Sequence, residues 1–158
     1  MRLTTFTDYT LRVLIYLAAH PGQRVTIAEV ARAFRVSESH VAKVVHFLGA
    51  TAWLENTRGR KGGMRLAVAP AEINVGEVVR LAEGSDVPAE CFEPGSGACR
   101  ISSGCRLKGV LAQAVNAFYE SLAQYTLADL VSGPEEFREM FFSPDARRAG
   151  AATGSAST

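Results

Sequence analysis

Cys91, Cys99 and Cys105 are the whole cysteine inventory of this 158-residue chain, and they fall inside one fifteen-residue window. An odd number of thiols in so short a stretch argues against a disulfide framework. Thiolates held close together repel one another unless they share a cation, so metal binding is the leading reading. The spacing differs from the C-x2-C pairs of zinc ribbons, and no histidine follows at zinc-finger spacing. Gly95, Gly97 and Gly104 let the backbone wrap around a bulky object, and an open thiolate-rich loop of this kind suits an iron–sulfur cluster. Three ligands leave a position to fill; the loop offers Glu90, Glu93 and Ser103.

A second set of residues points to a polyanion. Residues 1–68 hold ten Lys or Arg against four Asp or Glu, and residues 69–158 hold seven against twelve. The net charge of +1 therefore divides into a +6 half and a −5 half, which suggests a nucleic-acid-binding portion joined to something else. Ser37 is a good helix N-cap, and Val41, Val44, Val45 and Leu48 form an inward stripe that turns Glu38, Ser39, His40, Lys43 and His46 outward. Outward residues at the start of such a helix meet base edges in the major groove. The tip Arg58-Gly59-Arg60-Lys61-Gly62-Gly63 brings three cations on an unhindered backbone, suited to a minor groove. The candidate DNA contacts are Thr26, Arg35, Ser37, Ser39, His40, Lys43, Arg58, Arg60, Lys61, Gly62 and Gly63.

These residues need elements to hold them. Leu11, Leu14, Ile15 and Ala18 predict a first helix from Asp8 to Ala19, stopped by His20-Pro21-Gly22. Thr26 and Glu29 fit a capping box that opens a second helix, and Ser37 opens a third. Apolar runs around the glycine-rich tip read as a β-hairpin wing. Asn74 and Glu77 offer another capping box, on a short helix ending at Gly84. From Arg106 to Leu130, Leu107, Leu111, Ala114, Phe118, Leu122 and Tyr125 predict one long helix of about 37 Å, with a seam shared between two protomers.

The expected fold is mainly α: a winged helix-turn-helix DNA-binding domain with a small β-hairpin wing and a long C-terminal dimerisation helix. Its parts are the DNA-binding domain at 1–70, a connecting helix at 71–84, the cysteine loop at 85–105, the dimerisation helix at 106–131 and a partly disordered tail at 132–158. Apolar residues make up 47%, enough for a core, yet no run approaches the roughly 18 residues of a membrane span. Asp8 and Arg12 interrupt the N-terminal apolar run, so a cytoplasmic protein without a leader or membrane partner is expected. His20, His40 and His46 have no sequence partner for acid–base or nucleophilic work, which argues against an enzyme. Asp8 by itself reads as a helix-start charge paired with Arg12, worth about 0.3–0.5 kcal/mol.

MRLTTFTDYTLRVLIYLA, SESHVAKVVHFLG, TRGRKGGMRLA, INVGEVVRLAEG, the three-cysteine loop and YTLADLV occur in that order across residues 1–131. Together they resemble the NsrR-type proteins, the nitric-oxide-sensing branch of the bacterial iron–sulfur winged-helix repressors that also include IscR. The resemblance implies a homodimeric transcriptional repressor on double-stranded operator DNA. Its cluster would be held by Cys91, Cys99 and Cys105, with 4Fe-4S favoured over 2Fe-2S. Nitric oxide, the signal, would dismantle the cluster and release genes for its own detoxification. Asp8 of the partner subunit matches the position of the fourth ligand, and Arg12, one turn on, matches the coupling residue that accompanies it. Relatives of the IscR type place a histidine just after the third cysteine, where Arg106-Leu107-Lys108 stands here. The first cysteine gap is wider than in many relatives. Ala52 replaces the usual glycine before the wing's aromatic, which predicts a strained or reshaped turn. Alternative readings are a sensor of iron–sulfur supply or redox state, and a zinc-stabilised interaction module.

Overall fold

Thr4, rather than Asp8, opens the first helix. Its Oγ1 accepts from the Thr7 N–H at 3.2 Å, so α1 runs Thr5–Ala18 and Asp8 lies in its first turn. A hydroxyl cap satisfies a donor the helix itself leaves open. The threonine-rich start carries no apolar periodicity, which is why spacing alone sets the beginning late. The structure, a computed structural model, describes residues 2–57, 59, 62–84, 89, 92, 101 and 104–131. Arg58, Arg60, Lys61, Cys91, Cys99, the loop residues Glu90, Glu93 and Ser103, and the tail at 132–158 lie outside the described residues.

The second helix, α2 (Ile27–Phe34), opens on the expected capping box: Glu29 N–H donates to Thr26 Oγ1 at 3.3 Å, and Thr26 N–H donates to Glu29 Oε2 at 2.6 Å. The Thr26 backbone bond first, and its hydroxyl second, hold the Glu29 carboxyl below the ordinary glutamate range. A depressed folded value means this stabilisation is full above the unfolded value and is lost as pH falls through the folded one. Thr26→Ala removes the hydroxyl arm and is expected to cost about 1 kcal/mol at neutral pH. Denaturant titrations of both proteins check it: the gap between them should narrow in acid.

Arg35 ends α2 in the left-handed region at φ 54°, and its neighbour's N–H returns to Ala31 O at 3.0 Å. Among the described residues Arg35 is the one non-glycine with positive φ, so the strain expected at Ala52 is absent and sits here instead. At the end of α3 (Glu38–Leu48), Thr51 donates its hydroxyl to Leu48 O at 2.7 Å and accepts the Trp53 N–H at 3.2 Å. That hydroxyl closes the turn without asking residue 52 for a glycine conformation. Val41, Val44, Val45 and Leu48 are buried as the stripe requires.

The wing is an antiparallel pair, β1 (Leu54–Thr57) and β2 (Gly63–Leu66), in the register Leu54–Leu66, Glu55–Arg65, Asn56–Met64 and Thr57–Gly63. On its other edge β2 exchanges two backbone bonds with Val25, at 2.9 and 2.8 Å. A Cβ at Gly63 would stand 3.0 Å from Val25 O, so this glycine is what lets the two backbones approach.

Past a 3-10 turn at Pro70–Glu72, α4 (Val75–Glu83) is capped by Asn74, whose Oδ1 accepts from the Glu77 N–H at 3.1 Å. The long C-terminal helix is present as α5 (Arg106–Leu122), 17 residues or about 25 Å. It stops there, and α6 (Leu127–Leu130) follows after a turn, so the single helix expected over 106–130 is broken. The base of α4 captures the backbone that would have continued it. Val75 N–H donates to Tyr125 O at 3.0 Å, Leu127 N–H to Ile73 O at 2.8 Å, and Asn74 Nδ2 to Ala123 O at 2.7 Å. Thr126 and Asp129 then restart helix with their own capping box.

The main core joins α1, α2, α3, β2 and α4 through fully buried Leu14, Val30, Val44, Leu48, Met64 and Val78. A smaller cluster of Val75, Val79 and Tyr119 seats α5 on α4, with the Arg80 guanidinium 4.3 Å over the Tyr119 ring.

Candidate nucleic-acid interface and metal centre

The outward face of α3 is polar and solvent-exposed at Glu38, Ser39, His40, Lys43 and His46. Its first turn is organised by Ser37. That hydroxyl accepts the His40 N–H at 3.4 Å and lies 3.0 Å from Ser39 Oγ and 2.9 Å from His40 Nδ1. With Nδ1 engaged inward, the opposite ring nitrogen of His40 is left for a base or phosphate. Three predicted contacts thus converge at one helix start, with Lys43 a turn further along the same face. The helix is set by aromatic contacts from α1: Phe6 meets Phe47 edge-on at 5.3 Å, and the Tyr9 ring lies 5.7 Å from that of His40.

Thr26, Gly62 and Gly63 come together in a groove of about 470 Å³ between the start of α2 and the wing, closed beneath by Val45 and Met64. Thr26 spends its hydroxyl hydrogen on Glu29 Oε2, at 2.7 Å, so its side chain acts as a cap. Arg35 is exposed at the turn between α2 and α3. Sequence reasoning missed the residues that fasten the wing. Glu55 of β1 receives Arg24 on Oε1 and Arg65 on Oε2, and Arg24 also donates to Thr57 Oγ1. The cross-strand Glu55–Arg65 pair was accessible once a register was assumed, whereas Arg24 is thirty-one residues away from Glu55 and carried no signal.

Two of the four predicted metal-site cysteines and acids are described. Cys105 is partly buried at the N-cap of α5, with its side chain making no capping bond, so the sulfur sits free at the positive end of the helix dipole. Asp8 accepts a bidentate fork from Arg12, Nε–Oδ1 2.9 Å and Nη2–Oδ2 2.7 Å, with both side chains about two-fifths exposed (44% and 41%). This is the i, i+4 pair expected for Asp8 as a helix-start charge. Arg12 is held in turn over the Tyr9 and Phe34 rings, 5.8 Å from each centroid. A link that sequence did not suggest joins the two regions: Glu83, the last residue of α4, accepts from the Thr4 N–H at 2.9 Å and the Thr4 hydroxyl at 3.2 Å. Among the described residues no three His, Cys, Asp or Glu side chains gather to hold a metal.

Known proteins carry the same architecture. The HTH-type transcriptional regulator NsrR of Bacillus subtilis is 44% identical over 141 residues, 89% of this chain and 97% of that protein. NsrR of Shouchella clausii is 43% identical over 141 residues, 89% of this chain and 95% of that one. The solved structure of T. potens IscR superposes with a TM-score of 0.68 at 25% identity, over 87% of this chain and 91% of that one. The oxidized form of Staphylococcus aureus CymR gives 0.64 at 26% identity, over 84% and 97%. These similarities are to regulators of transcription rather than to enzymes. Residues 3–133 match Rrf2, described as an iron-dependent transcriptional regulator, and this chain belongs to that family.

Proposed function

We propose that the chain is a homodimeric, cytoplasmic repressor whose grip on operator DNA depends on an iron–sulfur cluster and is released by nitric oxide. Cys91, Cys99 and Cys105 would hold the cluster, with Asp8 of the partner subunit as fourth ligand. A partly buried thiol at a helix start and a carboxylate already oriented by a guanidinium suit such a donor set, and a carboxylate is a poorer iron ligand than a thiolate. When bound, the cluster supplies a centre that reacts with nitric oxide; we favour the 4Fe-4S form.

The observation that carries the reading is the position of α1. The helix bearing Asp8 and Arg12 packs on α3, which presents Ser39, His40 and Lys43, and on α4, which leads into the cysteine loop. A pull on Asp8 is therefore a pull on the recognition helix. Arg12 orients the carboxylate, and Tyr9, beneath Arg12, bears on His40. Leu107 and Val110 of α5, 62% and 60% exposed, offer an apolar strip suited to a second protomer. In a dimer the distance between the two α3 helices must match one turn of DNA, and ligation across the protomers would set that distance. The DNA contacts assigned to this state are Ser37, Ser39, His40 and Lys43 in the major groove. Thr26 and Arg35 lie beside the backbone, and Arg58, Arg60, Lys61, Gly62 and Gly63 belong to the wing. No helix among the described residues is long and apolar enough to cross a membrane.

The test is an anaerobic absorption spectrum before and after nitric oxide, with DNA binding followed in parallel, on the wild type and on Asp8→Ala. The variant should retain iron, show a shifted spectrum and bind operator about tenfold more weakly, a loss of roughly 1.4 kcal/mol. An unchanged spectrum with unchanged reactivity removes Asp8 from the ligand set. Equal DNA binding with and without nitric oxide removes the signal.

A further inference from the structure

Between Glu38 and Glu72 the chain carries one acid, Glu55, and it stands in the basic half. A carboxylate there repels phosphate, so its presence calls for a compensating role. Its two oxygens are divided between two arginines from different parts of the domain. Oε1 takes Arg24 Nη2 at 3.2 Å, from the turn ahead of α2, and Oε2 takes Arg65 Nε and Nη2 at 2.9 and 2.7 Å, from β2. Arg24 reaches on to Thr57 Oγ1 at the end of β1. Arg65 first, and Arg24 after it, hold the Glu55 carboxyl below the ordinary glutamate range, so it remains ionised wherever DNA binding is measured.

The backbone pairing of Val25 with Met64, together with the burial of Leu54 and Met64 in the main core, seats the base of the hairpin. The second strand, β1, is tied to the same turn by side chains, through Arg24 to Glu55 and Thr57. A tie on β1 as well as on β2 restrains the hairpin's pitch more than the core packing and the β2 pairing do alone. We propose that Glu55 is the positioning residue of the wing, setting the hairpin's pitch against α2 and α3 and so the place where the wing tip meets DNA. The inference rests on the reading of the wing as a DNA-contacting element.

Simple electrostatics and positioning predict opposite signs. Glu55→Gln deletes a negative charge facing a polyanion, which by charge alone tightens binding. If Glu55 positions the wing, the same change weakens it. The experiment uses the full-length protein and DNA selected from a random pool by the wild type. Affinity is measured at fixed salt, with hydroxyl-radical and guanine footprints and melting temperature alongside. Glu55→Gln is expected to bind about tenfold more weakly, comparable to one mismatched base pair. Backbone protection at the wing's end of each half-site should blur, while guanine protection by α3 and the melting temperature persist. Arg24→Gln, which cuts the tether and spares the cross-strand pair, should blur the same protection. Binding by Glu55→Gln that is equal or tighter, with a full footprint, overturns the role of Glu55 and leaves the DNA-binding reading intact. A wild type that selects no sequence removes both.

Discussion

Cys105→Ala is expected to fold, to purify colourless even without oxygen, and to bind its operator at least about a thousandfold more weakly, near the level of non-specific DNA. The effect is large because the thiol is one of three protein thiolates assigned to the cluster, so its removal leaves the other two in a loop without a third anchor. The fold should tolerate it. Cys105 is partly buried, makes no side-chain cap for α5 and belongs to neither core cluster. Its replacement therefore costs little beyond the methyl-sized change at a helix start. Iron and sulfide analysis, a melting curve and a binding titration check the three parts separately. A variant that keeps its iron, or loses it and still binds operator as the wild type does, refutes the assignment of Cys105.

Gly76→Ala is expected to destabilise the protein by about 1–3 kcal/mol, as overpacking of a closed contact does. In an isolated helix the same change stabilises by roughly 0.5–1 kcal/mol, because glycine loses more backbone freedom on folding. Here packing wins. A Cβ at position 76 would stand 2.7 Å from Ala123 N, 2.9 Å from Ala123 Cα and 2.9 Å from Tyr119 O, all backbone atoms that no rotamer change can move. Relief requires α4 and the end of α5 to separate, which loosens the bonds from Asn74 and Val75 to Ala123 and Tyr125. The melting temperature should drop by about 2–4 °C for each kcal/mol in a chain of this size. Circular dichroism on heating measures it, and an unchanged or raised midpoint contradicts the crowding at Gly76. Because α5 also presents Leu107 and Val110, the strip proposed to meet a second protomer, the proposed dimer should weaken with it.

Much of the domain was legible because the deciding interactions are local. The Thr26–Glu29 capping box, the Ser37 cap and the Val41/Val44/Val45/Leu48 stripe each depend on residues three or four apart, and each appears where spacing puts it. The hairpin follows from apolar runs around a glycine-rich tip, and the Asp8–Arg12 pair from one helical turn. Cysteine count and charge division pointed to metal and nucleic acid through composition, which needs no coordinates.

The failures have a common cause in contacts between distant segments. Periodicity continued past Leu122, but the base of α4 claimed the carbonyls and N–H groups of residues 123–127 and broke the helix. Strain was expected at Ala52 on the family's glycine; the Thr51 hydroxyl met that turn's needs, and the left-handed residue is Arg35. The stripe on α5 divides, with Phe118 and Leu122 packed beside Tyr119 on α4 while Leu107 faces outward. Arg24 meets Glu55, and Thr4 meets Glu83, across segments that only folding brings together. Sequence spacing alone thus determined which residues share a helix face and which chemistry they carry. Tertiary structure decided which of those faces meet, because a hydrogen bond between segments dozens of residues apart depends on a shared core and leaves no trace in the order of the chain.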